Sequence, residues 1–98
     1  MKVVAICHRR GEFAPSDFTP HLEAEALQAV RLFAAEKIRE IYSRADGMGA
    51  VIVLEAKDEA EARSFLETLP LVQKGMLDVE LYGTKPYRGF VAHLPPGG

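Results

Sequence analysis

The sequence predicts a single α+β domain with the element order strand, helix, strand, strand, helix, strand. Three observations support this prediction. The chain has 98 residues, of which 48% are hydrophobic, and this size and composition suit one domain. Short segments have the composition of β-strands, and two longer segments between them carry apolar residues at helical spacing.

The first strand is predicted over residues 2–8, KVVAICH, a short run rich in β-branched residues. Its apolar residues fall on both alternation sets, which are Val3/Ala5 and Val4/Ile6. A strand that is apolar on both faces is typical of an internal position in a sheet. The first strand is therefore expected to be central.

The first helix is predicted from Pro20 to about Ala35, after a loop broken by glycine and proline. Thr19 is expected to cap this helix, because threonine before a proline in the first turn is a common helix start. The residues predicted to face the sheet are Leu22, Ala26, Ala29 and Phe33. Glu25 lies on the flank of this stripe.

Residues 37–44 and 49–56 are predicted to form a β-hairpin. Between them lies the pair Asp46-Gly47, which favours a tight reversal. The first hairpin strand carries charge on both alternation sets, whereas the second is apolar on both faces up to Glu55. The first is therefore expected at an edge of the sheet and the second inside it.

The second helix is predicted to begin after Asp58, with Glu61 in the position of a capping-box acid. Its buried stripe is expected to consist of Ala62, Phe65, Leu66 and Leu69. Pro70 cannot continue the helix and restricts the residue before it, so the helix is expected to stop close to Leu69.

The last strand is predicted over residues 76–82, MLDVELY. One face consists of Leu77, Val79 and Leu81, and the other of Asp78, Glu80 and Tyr82. Because one face is polar, this strand is expected at the second edge of the sheet.

Two internal and two edge strands predict a four-stranded antiparallel sheet in the spatial order 4-1-3-2. This is the ferredoxin-like βαββαβ sandwich, in which both helices cover one face of the sheet. The other face is then bare although its central strands are apolar, so a twofold partner is expected to cover it. We therefore expect a homodimer, a dimeric α+β barrel, with residues 1–86 as the domain and residues 87–98 as a C-terminal arm that lies on the partner.

Polar and aromatic residues of the edge strands are expected at the rim of that contact. They are Glu40, Tyr42, Arg44, Asp78, Glu80 and Tyr82. The alternative is that they are solvated edge residues whose charges discourage edge-to-edge aggregation.

The composition argues against several functional classes. The formal net charge is −2 and the basic residues are scattered, so no nucleic-acid partner is expected. No apolar run approaches the roughly 20 residues of a membrane span and no signal peptide is evident, so a cytoplasmic protein with no membrane partner is expected. Metal-ligand spacing and phosphate-binding glycine loops are absent from the sequence, so no metal and no cofactor are expected.

Two candidates for proton transfer lie at the ends or flanks of apolar elements. His8 ends the first strand, and histidine is a common proton shuttle near neutral pH. Glu25 lies beside the helix stripe, where burial raises the pKa of a carboxyl group towards values useful for proton transfer. The alternatives are a half-exposed histidine at a strand end and a solvated carboxylate.

Three further candidates lie on the hairpin. Arg44 and Glu55 end its two strands and are expected to face each other. They form either a cross-strand ion pair or a site in which a cation polarises a carbonyl beside a carboxylate that moves a proton. Tyr42, two residues from Arg44 on the same face, is either a hydrogen-bond donor to a ligand oxygen or an ordinary edge-strand aromatic residue.

The initial strand MKVVAI and the segment LETLPLVQKGMLDVELYGTKPY, in which the second helix ends in Leu-Pro-Leu before the last strand, carry a family resemblance. Over roughly residues 1–86, the sequence resembles the muconolactone isomerase-like family of dimeric α+β barrel proteins. The resemblance implies a ferredoxin-like fold and a homodimer. It also implies an isomerase whose substrate is a small unsaturated lactone or carboxylate.

Three functions are open at this point. An isomerase removes a proton next to a conjugated carbonyl and returns it two carbons away through a dienolate. Glu25 or His8 is then the shuttle, and Arg44 with Tyr42 holds the oxyanion. A non-catalytic ligand-binding or assembly protein is the alternative. Its space between helices and sheet either takes a small apolar acid or stays filled by side chains, for which the candidates are Phe13, Phe18, Phe33 and Phe65. A cofactor-free oxygenase of a related barrel is the third, and no residue points to it.

Overall fold

The computed structural model describes residues 1–95, so the last three residues of the predicted arm lie outside the described chain. The strands are β1 (Lys2–Arg9), β2 (Ile38–Ser43), β3 (Gly49–Glu55) and β4 (Leu77–Gly83). The helices are α1 (Pro15–Phe18), α2 (Leu22–Ala34), α3 (Glu59–Leu66), α4 (Pro70–Gln73) and α5 (Arg88–His93), with a 3₁₀ turn at Thr19–His21. Within the described residues, no helix is long and apolar enough to cross a membrane.

The four strands form one antiparallel sheet in the order β2-β3-β1-β4, which is the predicted 4-1-3-2 order counted from the other edge. Leu32 of α2 and Leu66 of α3 join the same buried cluster as Val3 of β1, so both helices cover one face. The predicted α+β, ferredoxin-like sandwich is confirmed.

The core lies between the two helices and the covered face of the sheet. Its main members are Val3, Ala5, Cys7, Leu32, Ile38, Ile52, Leu54, Ala62, Leu66 and Leu69. Those from β1 and β3 belong to one alternation set of each strand, because Val3 is paired with Leu54 and Ala5 with Ile52. The second alternation set therefore faces away from the helices.

The predicted stripe of α2 is wrong by about one position. Leu32 is 7% exposed and faces the core, whereas Phe33 is 58% exposed. Glu25 and Ala29, which share a side with Leu32, are half-buried. The error has a physical reason: apolar residues lie on nearly every side of this helix, so their spacing does not identify the buried side.

The start of this helix also differs from the prediction. A short helix, α1, begins at Pro15, and the Asp17 side chain accepts a hydrogen bond from the Ala14 backbone N–H at 2.7 Å. Thr19 belongs to the following 3₁₀ turn and does not cap α2, whose first residue is Leu22. The loop is thus more ordered than its glycine and prolines suggested.

The second predicted helix is confirmed at its start and is shorter at its end. Asp58 Oδ1 accepts the Glu61 backbone N–H at 2.8 Å, as an N-cap does. Helix α3 ends at Leu66, and Pro70 begins the separate helix α4, because proline is well suited to the first position of a helix. The Leu-Pro-Leu step places Leu69 and Leu71 in the core.

The predicted hairpin reversal is confirmed, and it brings the chain close to β1. Asp46 Oδ1 accepts the Met48 backbone N–H at 2.8 Å within the turn. Gly49 follows with a φ of 147°, and a Cβ at this position would lie 1.9 Å from the carbonyl oxygen of Cys7. Only glycine fits this approach of β3 to β1.

Helices α2 and α3 leave the second face of the sheet uncovered. Its apolar side chains are Val4 and Ile6 of β1 and Val51 and Val53 of β3, all half-buried. The register places Glu80 and Tyr42 beside this apolar strip, on the two edge strands, as expected for rim residues. A second copy that covers this face stays a prediction.

Candidate functional site

A cleft of about 210 Å³ opens between α2 and the covered face of the sheet. The space exists because small residues meet there. They are Ala26 and Ala29 on α2 and Gly49 and Ala50 on β3. Larger apolar residues, including Ile52, Leu69 and Leu77, complete the wall. A cleft of this size is large enough for a single ring, since an apolar cavity of about 150 Å³ holds benzene.

Glu25 contributes a carboxyl group to the wall of this cleft. The backbone N–H of Leu71 donates a hydrogen bond to Glu25 Oε1 at 2.9 Å. Burial raises the pKa of the Glu25 carboxyl, and the hydrogen bond from Leu71 offsets only part of this rise. A carboxyl group with a raised pKa beside an apolar cleft suits general acid–base chemistry.

Cys7 lies in the wall of the same cleft but is not a nucleophile at neutral pH. Burial, with a smaller effect from the nearby Glu25 carboxylate, raises the pKa of the Cys7 thiol to about 11. The reactive form of cysteine is the thiolate, and very little thiolate forms at such a pKa. Within residues 1–95, no three His, Cys, Asp or Glu side chains come together as metal ligands.

Two polar residues of the cleft, Arg9 and Ser43, are absent from the candidates derived from the sequence. Arg9 follows Cys7 on the covered side of β1, and Ser43 lies on the same side of β2. The Arg9 guanidinium carbon lies 4.2 Å from the centre of the Phe18 ring. Strand alternation is the signal that identifies Arg9, since it places Arg9, and not His8, on the side of the helices.

His8 and Arg44 lie together, on the opposite face of the sheet. Arg44 Nη1 donates to His8 Nδ1 at 2.6 Å, which leaves the His8 Nε2–H to donate to Glu80. Arg44 Nη2 also pairs with Asp46 at 2.6 Å. Both ring nitrogens of His8 are thus engaged, and neither faces the cleft that holds Glu25.

Tyr42 lies on the edge strand β2, with its side chain on the uncovered face, opposite Val51. Its hydroxyl donates to Glu40 at 2.7 Å, and this hydrogen bond raises the pKa of Tyr42. Tyr42 also touches the rim of the cleft. The hydroxyl is engaged with Glu40, so it is not placed to hold a ligand oxygen inside the cleft.

Glu55 lies at the far end of the sheet. It pairs with the Met1 ammonium at 3.0 Å, and this contact, followed by that with Lys2, lowers the pKa of the Glu55 carboxyl. The expectation that Arg44 and Glu55 face each other is wrong. Arg44 lies at the turn of the hairpin, whereas the Glu55 backbone N–H donates to Lys37 at the open end of the hairpin.

A non-catalytic protein is one for which phenylalanines are expected to fill the space between the helices and the sheet. These phenylalanines do not close the cleft. Phe33 is exposed. Phe18 is buried in a separate small cluster with Leu71 and Met76, and Phe13 packs against that cluster. Phe65 packs beside the main core. The space between α2 and the sheet therefore remains open.

No protein-family model and no curated protein matches the chain. A solved structure does: a 5-chloro-2-hydroxyhydroquinone dehydrochlorinase from Burkholderia phenoliruptrix AC1100, in complex with 2,5-dihydroxybenzoquinone. The TM-score is 0.73 at 18% sequence identity, and the match covers 91% of this chain and 98% of the dehydrochlorinase. At this identity the similarity shows the fold, which is the ferredoxin-like α+β sandwich.

Proposed function

We propose that this protein is a small-molecule isomerase and that Glu25 moves the proton. The observation that carries the proposal is a half-buried carboxyl group with a raised pKa on the wall of an otherwise largely apolar cleft. The choice of reaction class rests on the resemblance of residues 1–86 to the muconolactone isomerase-like family. The substrate is a small unsaturated lactone or carboxylate.

The size of the cleft supports a ligand with one ring. Its volume of about 210 Å³ is below the range of drug-sized pockets, roughly 300–1,000 Å³. The solved structure of the dehydrochlorinase with a similar fold contains 2,5-dihydroxybenzoquinone, a molecule with one ring. Butenolides, which are five-membered unsaturated lactones, are the probes that fit these limits.

The reaction proceeds by two proton transfers through one group. The Glu25 carboxylate removes a proton from the carbon that lies between the carbonyl and the C=C double bond, and the electron pair of that C–H bond moves into the dienolate. The neutral Glu25 carboxyl then returns a proton two carbons away, so that the double bond shifts and no atom is gained or lost. A raised pKa reduces the mismatch between the carboxyl group and a carbon acid.

The negative charge of the dienolate needs a donor inside the cleft. Arg44 and Tyr42, the donors expected from the sequence, are engaged elsewhere with Asp46 and Glu40. Ser43 is an exposed residue among those that line the cleft, and its hydroxyl takes this role in the proposal. A hydroxyl hydrogen bond to an oxyanion is stronger in an apolar environment than in water.

Exchange of solvent deuterium into butenolides, followed by proton NMR, tests the proposal. Glu25→Gln is expected to lower the exchange rate by about 10²–10⁴-fold, the usual contribution of general acid–base catalysis. His8→Ala tests the other shuttle candidate and is expected to retain exchange, because His8 lies on the opposite face of the sheet. Exchange that is lost in His8→Ala and kept in Glu25→Gln would reverse the assignment.

A non-catalytic ligand-binding or assembly protein is the second candidate. The observation that favours it is the hydrogen bond from Leu71, which gives Glu25 a structural role that needs no reaction. Binding of butenolides without any deuterium exchange would support this alternative. Exchange that depends on Glu25 would exclude it.

We also propose that two copies pair through the uncovered face of the sheet. The half-buried valines and isoleucine of β1 and β3 on this face form an apolar strip that one chain leaves in water. Edge-strand residues such as Glu80 and Tyr42 flank the strip and limit further association. In this arrangement residues 1–86 are the paired domain and residues 87–98 are an arm that reaches the partner.

A further inference from the structure

We propose that Arg9 forms an anion subsite in the cleft and binds the carboxylate of a small single-ring acid. The inference rests on the proposed function only for the location of the ligand, since it requires the cleft to be the binding site. It assigns Arg9 to ligand recognition, separately from the proton transfer at Glu25.

The first observation is that the Arg9 side chain is partly buried and has no polar partner among the described residues, whereas the other partly buried arginine has two side-chain partners. Arg9 and Arg44 are the only arginines of residues 1–95 that are partly buried. Arg44 bonds to His8 and pairs with Asp46. The Arg9 guanidinium, in contrast, forms no ion pair and donates no hydrogen bond to another described residue. A half-buried cation without a partner favours the binding of an anion.

The second observation is that Arg9 is held in place by an aromatic ring. Its guanidinium carbon lies 4.2 Å from the centre of the Phe18 ring, and Phe18 is 1% exposed. Contact with a buried ring restricts the long arginine side chain before any ligand arrives. The planar guanidinium can then offer two parallel N–H groups to one carboxylate, and less side-chain entropy is lost on binding.

The charge of the cleft favours a singly charged ligand. Arg9 is the only cationic side chain among the described residues that line it, and Glu25 is the only acidic one. A monocarboxylate is neutralised by Arg9 alone, whereas a doubly charged phosphate keeps a net negative charge close to Glu25. The apolar remainder of the wall accommodates the ring.

Benzoate, methyl benzoate and inorganic phosphate are suitable probes, because benzoate and its ester share a ring and differ in charge. Their binding is measured by NMR titration of the ¹⁵N-labelled full chain. We expect benzoate to bind at least about tenfold more tightly than the ester, as loss of a charge-assisted hydrogen bond predicts. The Nε–H resonance of Arg9 is expected to shift with benzoate and not with the ester.

Variants of Arg9 supply the decisive comparison. Arg9→Gln is expected to remove the preference for acid over ester, and Arg9→Lys to keep part of it, because an ammonium retains the charge without the planar fork. Arg63→Gln is the matched control, since Arg63 is exposed on α3 and lies outside the cleft. It is expected to leave the preference unchanged.

Several outcomes would overturn the inference. A preference for the acid that persists in Arg9→Gln is one, and displacement of benzoate by an equal concentration of phosphate is another. If Arg9→Gln fails to fold, Arg9→Lys and the Nε–H resonance still decide. The two proposals can fail separately. If the wild type prefers benzoate over methyl benzoate but catalyses no deuterium exchange into butenolides, only the anion subsite is supported. If it catalyses exchange but binds benzoate and methyl benzoate equally, only the isomerase is supported.

Discussion

Glu25 Oε1 accepts a hydrogen bond from the backbone N–H of Leu71 at 2.9 Å, across 46 positions of sequence. Leu71 follows Pro70, the first residue of α4, so its N–H is one of the groups that a helix start leaves without an intrahelical partner. The candidate proton shuttle therefore also stabilises the segment that returns the chain to β4. A test of Glu25 has to separate these two roles.

Two substitutions of Glu25 separate them. Glu25→Gln keeps a side-chain oxygen that accepts the Leu71 N–H, so we expect loss of deuterium exchange and no fall in stability. Glu25→Ala leaves that donor unpaired, so we expect the same loss of exchange and a fall of about 1–3 kcal/mol in the free energy of unfolding. Urea unfolding measures the second quantity. Equal stability of the two variants would show that the hydrogen bond contributes little.

The raised pKa of Glu25 predicts a pH dependence of stability. Because this pKa is above its ordinary value of 4.5, the folded protein holds the proton more tightly than the unfolded chain does. The stability from this group is present below about pH 4 and is lost as the pH rises through the raised pKa.

Glu25→Gln cannot ionise at this position, so it avoids that loss. We expect its melting temperature to rise relative to wild type between about pH 4 and pH 7. Thermal unfolding followed by circular dichroism measures the difference. A difference that stays constant over this range would contradict the raised pKa.

The strand order could be predicted because it depends on a coarse property of each strand. The strands β1 and β3 carry apolar residues on both alternation sets, and only internal strands bury both. The acids Asp78 and Glu80 mark β4 as an edge strand in the same way. Such a pattern tolerates small errors in the boundaries of the elements, so the topology follows without knowledge of side-chain contacts.

The site could be predicted only in part, because it depends on single positions. His8 and Arg9 are neighbours in sequence and lie on opposite faces of the sheet, so the choice between them requires the side that the helices cover. The contact between Glu25 and Leu71 depends on which side of α2 is buried, and the composition of that helix does not reveal it. The position of Glu25 beside an apolar stripe identifies it as a candidate, although the buried side of α2 lies about one position away from the predicted stripe.

Gly49 provides a test of the backbone geometry beside the cleft. A Cβ at Gly49 would lie 1.9 Å from the Cys7 carbonyl oxygen, and its φ of 147° is unfavourable for other residues. We expect Gly49→Ala to lower the free energy of unfolding by about 1–3 kcal/mol. Gly11→Ala is the control, since no atom lies within 4 Å of a Cβ built there. Equal effects of the two substitutions in urea unfolding would contradict the close approach of β3 to β1.

The proposed pairing through the sheet predicts which surface carries association. Val53→Lys places a charge on the uncovered face of β3, so we expect it to convert a dimer to a monomer, because an unpaired buried charge is costly. Val30→Lys is the matched control, since Val30 is 62% exposed on the outer side of α2. Sedimentation velocity at micromolar concentration measures the change. If Val30→Lys dissociates the dimer and Val53→Lys does not, the contact between the two copies lies on α2 and not on the sheet.

Deletion of the C-terminal arm is expected to affect the stability of the domain and the stability of the dimer differently. The arm exposes apolar side chains, 63% for Phe90 and 69% for Val91, and its helix α5 bonds through its backbone to Tyr87 within the arm. Because the arm contributes little to the core of its own chain, deletion of residues 87–98 is expected to change the free energy of unfolding of the monomer by less than about 0.5 kcal/mol. Association measured by sedimentation is expected to weaken, since an arm that lies on a partner adds contact area to the dimer.

Two outcomes would contradict this prediction. A truncated chain that unfolds would show that the arm belongs to the domain. A truncated chain that associates as strongly as the full chain would show that the arm does not contact the partner.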